Sequence, residues 1–245
     1  MDPASAGNPV PRIRHQGPPL VLLASIFTVL FLAGLAPVTM FGGRPYFPGP
    51  WEPANVIVAF FQARPFAVLL CAFLHFGSAV VMGLFTACIV NQMRFLGVRA
   101  AGVNIALFGG LATAIGILIS SCVLWTLAQP GVAQNASLVN AFYHFGYAFG
   151  GPGYSVPLGL LMAGVSIPAA FMKLLPKWVT VLGIALGLCG ELSWLNLMLP
   201  KTLFLIPLTR FPGFVWLIAA GLLLPRTITA DRARAMQTTG GLTAH

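Results

Sequence analysis

Acid is what this sequence has least of. Four Asp and Glu stand against thirteen Lys and Arg in 245 residues, and charged residues of both signs make up only 7%. A soluble domain carries about 25%. With 58% of the chain hydrophobic, so few charges exclude a water-soluble fold, because they leave too little polar surface to cover the rest. Cysteine is also scarce. Cys71, Cys88, Cys122 and Cys189 all lie inside apolar runs with no CxxC, which reads as small buried hydrophobes and excludes a disulfide or zinc framework. No HExxH, paired HxxxH or nucleophile–base motif occurs, so no catalytic residue, metal or cofactor is assigned. The net charge of +9 does not point to nucleic acid. The cations sit singly or in pairs between apolar runs, where topology explains them.

What is abundant is uncharged apolar sequence in lengths that match a bilayer crossing of about 20 residues. The runs are 20–41, 65–90, 100–128, 137–171, 178–199 and 204–224. The expected fold is all-α: a polytopic transmembrane helical bundle of six spans, with a short amphipathic outer helix before span four. Residues 1–18 and 226–245 read as disordered cytoplasmic tails around a single domain, 19–225. Between the first two runs, Val56, Ile57, Phe60 and Phe61 fall at helical spacing after Pro53. This predicts a short helix lying in the membrane interface. Nine of the thirteen basic residues fall on one side: Arg12, Arg14, Arg94, Arg99, Lys173, Lys177, Arg226, Arg232 and Arg234. The positive-inside bias puts both termini in the cytoplasm.

Residues 137–171 are the unusual run. As one helix they would reach about 50 Å at about 1.5 Å per residue, well past a hydrocarbon core of about 30 Å. Gly150, Gly151, Pro152 and Gly153 form a hinge. Before it, Ser137, Asn140, His144 and Tyr147 recur at helical spacing opposite Leu138, Phe142, Phe145 and Phe149. That stripe either faces water at the outer interface or walls a polar cavity.

Ionisable groups inside spans are costly, so each marks a candidate site. Glu191 ends a Gly183-x-x-x-Gly187-x-x-x-Glu191 stripe, whose glycines admit a close neighbouring or partner helix. It reads either as a proton or cation site or as a packing carboxyl. His75 shares its face with Cys71, Ser78 and Met82, and reads either as a soft ligand or as a hydrogen-bonded core histidine. His75, His144 and Glu191 each lie about two to three turns, or about 9–15 Å, from the outer end of their element. Matched depth predicts that they form one polar cluster beneath the hinge. Asn140, Tyr147 and Arg210 complete the ligand-binding set. Arg210 reads as an ion partner or as a snorkelling headgroup anchor. The segments Arg44–Trp51 and Arg210–Trp216 both run Arg, Phe-Pro-Gly, Trp, and read as interface turns.

Gly150–Gly153 followed by Val156–Ser166, together with Arg210–Trp216, resembles uncharacterised bacterial six-span membrane proteins grouped as a domain of unknown function. The resemblance covers the spans and not the tails. It implies a bacterial inner-membrane location and carries no activity to transfer. Three functions fit the sequence. The first is a non-enzymatic ligand- or lipid-binding, transport or sensory module. The second is a membrane enzyme or metal-binding protein using His75, His144 and Glu191. The third is an accessory subunit that docks partner spans through Gly183 and Gly187.

Overall fold

The computed structural model describes residues 12–229. The chain forms β1 (Arg12–Arg14), α1 (Leu20–Leu35), α2 (Ala54–Ala63), α3 (Pro65–Phe95), α4 (Gly102–Leu127), α5 (Pro130–Ala133), α6 (Ala136–Gly150), α7 (Pro152–Phe171), α8 (Lys177–Leu192), α9 (Leu205–Leu223) and β2 (Thr227–Thr229). Short 3-10 turns at Ala36–Val38, Met40–Gly42, Ser193–Leu197 and Pro200–Phe204 extend or join the helices. Proline opens α3, α5 and α7 within their first two positions, where its missing N–H leaves no bond unmade.

Six helical segments are long and apolar enough to cross a membrane: Leu20–Val38, Pro65–Phe95, Gly102–Leu127, Ala136–Phe171, Lys177–Leu197 and Pro200–Leu223. Their outward faces carry large apolar side chains such as Phe73, Leu188 and Leu222, at 73%, 62% and 65% exposure. A surface of that kind needs lipid against it, not water. The chain is built as a multi-pass membrane protein.

The spans pack as a closed ring. α1 lies on α3, α3 on α4, α4 on α7, α7 on α8, α8 on α9, and α9 returns to α1. Phe27, Phe31, Phe85, Tyr154, Leu158, Met162, Phe214 and Trp216 fill the interior. A second apolar cluster joins Ile57, Phe60 and Phe61 of α2 to Val68, Leu127, Val139 and Tyr143 at the end away from the termini.

Glycines bring α4 close against α7. Pro157 and Pro168 lie inside α7, so the carbonyls of Gly153 and Gly164, four residues earlier, lose their helical N–H partners. Gly116 and Gly102 of α4 stand against those oxygens; a β-carbon there would lie 2.9 Å and 2.8 Å away. Gly109, midway between them, rests on the backbone of Pro157 and Leu161. Glycines seven apart thus place α4 directly on the proline-disrupted face of α7, where no side chain would fit.

Three local expectations change. α2 forms where the spacing predicts a helix, but its apolar face is turned to protein and not to lipid, with Ile57, Phe60 and Phe61 buried. Arg210–Gly213 is not a turn; α9 runs through it, with Pro212 inside the helix. The terminal segments are ordered where they meet. Arg12–Arg14 pairs antiparallel with Thr227–Thr229, Ile13 opposite Ile228. His15 N–H donates to Arg226 O at 2.8 Å, and Gln92 Nε2 donates to Leu224 O and Pro225 O at 3.1 and 2.9 Å. The rest of both expected tails, residues 1–11 and 230–245, lies outside the described residues.

Candidate functional site

The hinge is a single residue. α6 ends at Gly150, α7 begins at Pro152, and only Gly151 between them is non-helical. Tyr154 N–H bonds Gly151 O at 3.2 Å, so it does not continue the α-helical ladder back to Gly150. A helix-terminal carbonyl facing the interior needs a donor. Arg210 of α9 supplies it, Nη2 donating to Gly150 O. A cation at a helix C-terminus also meets the negative end of the helix dipole.

Arg210 lies beside the rings of Tyr154 and Phe31, with Cζ 4.5 Å and 5.3 Å from their centroids. It lines a cavity of about 370 Å³ inside the ring, bounded by α1, α3, α4, α6, α7 and α9. One end holds Arg210, Tyr154, Phe31, His75 and Cys71. The other lies beneath the segment Phe47–Pro50, against Val38, Leu127 and Tyr143. That segment is tied down at two points: Tyr143 Oη donates to Pro48 O at 2.6 Å, and Phe47 N–H donates to Val38 O at 2.9 Å. Arg64 holds the chain that leads into it, donating to the carbonyls of Pro37, Gly43 and Arg44 at 3.0, 2.7 and 3.2 Å. Most of the lining is apolar. Among the described residues, no Asp or Glu contributes to it.

The residues singled out in the sequence do not assemble as one cluster. His75 lines the cavity, but both its nitrogens are used. Nε2–H donates to Phe31 O at 3.0 Å, which leaves Nδ1 as the acceptor facing Cys71 Sγ at 3.6 Å. Its ring stacks on Phe31 at 4.2 Å. This is a hydrogen-bonded core histidine holding α3 to α1, not a free ligand. His144 is exposed, donating from Nδ1 to Asn140 O at 2.8 Å, and neither His144 nor Asn140 lines the cavity. Glu191 lies on α8, half-buried, with Oε1 unpartnered and away from the cavity.

The reason is angular. Matched depth says nothing about direction, and in the ring α8 neighbours α7 and α9 while α3 neighbours α1 and α4. His75 and Glu191 therefore stand on opposite sides. Among the described residues no group of three His, Cys, Asp or Glu could hold a metal ion. Gly183 and Gly187 are used within the chain: Gly183 meets Ser166 and Trp216, and Gly187 meets Gly159 and Ala163.

Tyr147 and Arg210 do line the cavity, and Gly150 and Gly151 form part of its wall. Tyr147 Oη donates to Asn196 Oδ1, a buried group absent from the sequence reading. The face that α6 buries is Val139, Tyr143 and Gly146, turned from the predicted polar stripe, so Tyr147 points inward while His144 does not. The residues missed are Tyr143, Tyr154, Ser120, Phe31 and Asn196. One signal was available: three of the chain's four tyrosines fall within residues 143–154, at helical spacings across the hinge. No family model matches the chain, and no curated protein or solved structure is significantly similar to it.

Proposed function

We propose that this protein is a non-enzymatic, membrane-embedded binding module whose cavity receives a small amphipathic molecule. The observation that carries the reading is the cavity itself. It lies inside the ring of spans and measures about 370 Å³, within the range of small-molecule sites, about 300–1,000 Å³. Its mostly apolar walls and few convergent polar groups fit such a site. An enzyme reading lacks support because the imidazole and two of the three phenols in the wall are already engaged: His75 in two contacts, Tyr147 with Asn196, Tyr143 with Pro48. Little is left to activate a nucleophile or relay a proton.

The biological setting belongs to the same reading. The bias of basic residues toward the terminus side supports cytoplasmic termini. The resemblance to bacterial six-span proteins supports an inner membrane, with the hinge and the Phe47–Pro50 cover facing outward. Residues 136–150, on this view, lie at the outer edge and wall the cavity without adding a seventh crossing.

Native mass spectrometry of the full chain released from non-ionic detergent tests the reading, with dodecanol as the probe. A saturable one-to-one adduct is expected, and Leu203→Trp, which fills the cavity from the half-exposed turn before α9, removes it. If all dodecanol uptake is non-saturable, or if Leu203→Trp leaves it unchanged, the cavity is not a binding site.

A further inference from the structure

We infer that the molecule bound in this cavity is a single-chain amphiphile with an anionic head, a carboxylate or a phosphate, and that the head pairs with Arg210. This rests on the binding reading above and names its ligand class.

The argument begins with what Arg210 lacks. A guanidinium carries five N–H donors and stays charged. Its Nη2 donates to Gly150 O, and its buried Nε has no partner among the described residues. The Oη of Tyr154 is buried against the same guanidinium, and among the described residues it has no other hydrogen-bond partner. The faces of Tyr154 and Phe31 attract the cation, and the end of α6 adds the negative pole of its dipole. Neither neutralises a full charge. No carboxylate among the described residues lines the cavity. An intramembrane cation of this kind is retained where something pairs with it.

A purely structural role does not account for the arrangement. A staple for one carbonyl needs only one neutral donor, and a glutamine or tryptophan would serve without the cost of burying a charge. The planar fork instead matches the paired oxygens of a carboxylate or phosphate. The rest of the cavity supplies what a hydrocarbon chain needs. Leu35, Val38, Ile117, Leu124 and Leu127 line it, and no cation besides Arg210 is among its described lining residues. Head and tail therefore have separate places.

The test uses three probes with the same tail in the same mass-spectrometric titration: dodecanoate, dodecyl phosphate and dodecanol. In the unmodified protein at least one anion is expected to bind about tenfold or more tightly than dodecanol, the range of a hydrogen bond to a charged group. The tighter of the two anions identifies the head. Arg210→Gln is expected to remove that preference. Arg210→Lys, which keeps the charge but loses the fork, retains part of it. Equal affinities for all three probes in the unmodified protein overturn the anionic head and leave the cavity reading standing. Saturable binding of none of them overturns both. An anion preference that survives Arg210→Gln overturns the assignment to Arg210. The probe comparison needs no variant, so it decides the proposal even if Arg210→Gln folds poorly.

Discussion

Replacing Gly109 with alanine adds one methyl group, and the structure specifies where it goes. A β-carbon there lies 2.5 Å from Pro157 O, 2.6 Å from Leu161 N and 2.7 Å from Leu160 Cβ. Two of these three are backbone atoms, which cannot rotate aside. Restoring an ordinary C···O separation of about 3.3 Å requires α4 and α7 to part by about 0.8 Å at that point, given the 2.5 Å starting distance. The same movement loosens the neighbouring contacts of Gly102 and Gly116. Overpacking of this kind costs about 1–3 kcal/mol, and the rigid neighbours place this case at the upper end. Alanine returns about 1 kcal/mol through its better helix propensity. The net loss is about 2 kcal/mol, a fall of about 4–8 °C in Tm for a chain of this size. Gly131→Ala is the matched control. Nothing lies within 4 Å of its added carbon, so the same chemical change is expected to leave Tm unchanged or slightly raised. Thermal unfolding in detergent, followed by intrinsic fluorescence, reads both variants. If Gly109→Ala melts within about 1 °C of the parent, α4 and α7 do not meet through Gly109 and the described seam is wrong.

Three further predictions follow from single contacts. Tyr143→Phe removes the bond to Pro48 O and costs the cover about 1 kcal/mol; hydrogen exchange at the Phe47 amide should quicken about fivefold, and unchanged exchange would remove Tyr143 as its anchor. Glu191→Gln should alter dodecanoate affinity less than twofold, because Glu191 does not line the cavity; a tenfold change would place Glu191 in the site. His15 is 7% exposed beside Arg226, and burial first, then that positive charge, lowers its pKa below the ordinary 6.5. The unfolded state therefore binds more protons below pH 6.5. The stabilisation is present above 6.5 and is lost as pH falls toward the lowered folded value. Tm should drop between pH 7 and 5.5 more in the parent than in His15→Phe, and identical profiles would show that His15 is not held neutral.

The hinge shows how far sequence reasoning reaches and where it stops. Gly150–Gly153 announces a break, since proline and glycine disrupt the ladder whatever surrounds them. The consequence, a freed Gly150 carbonyl, is local as well. That Arg210 answers it, from sixty residues away, is not local. The same division holds for the glycines. Gly183 and Gly187 were legible as a stripe permitting close approach, but Gly159, Ala163, Ser166 and Trp216 are their partners only because α7 and α9 flank α8. The heptad of Gly102, Gly109 and Gly116 was equally present in the sequence. It acquires meaning only beside the prolines of α7.

The sequence alone determined that this chain is helical, that it has six segments able to cross a bilayer, and that the fourth of them breaks at Gly150–Gly153. Each follows from a property a segment has by itself: a helix satisfies its own backbone in lipid, and hydropathy is summed along one dimension. Only the tertiary structure decided which side chains share a space. Depth along a span can be counted, but the rotation of a helix about its axis and its place in the ring depend on contacts between distant segments. Those contacts put His75 and Glu191 on opposite sides of the bundle, turned His144 outward, and brought Arg210 in against Tyr154 and Phe31 at the end of the cavity.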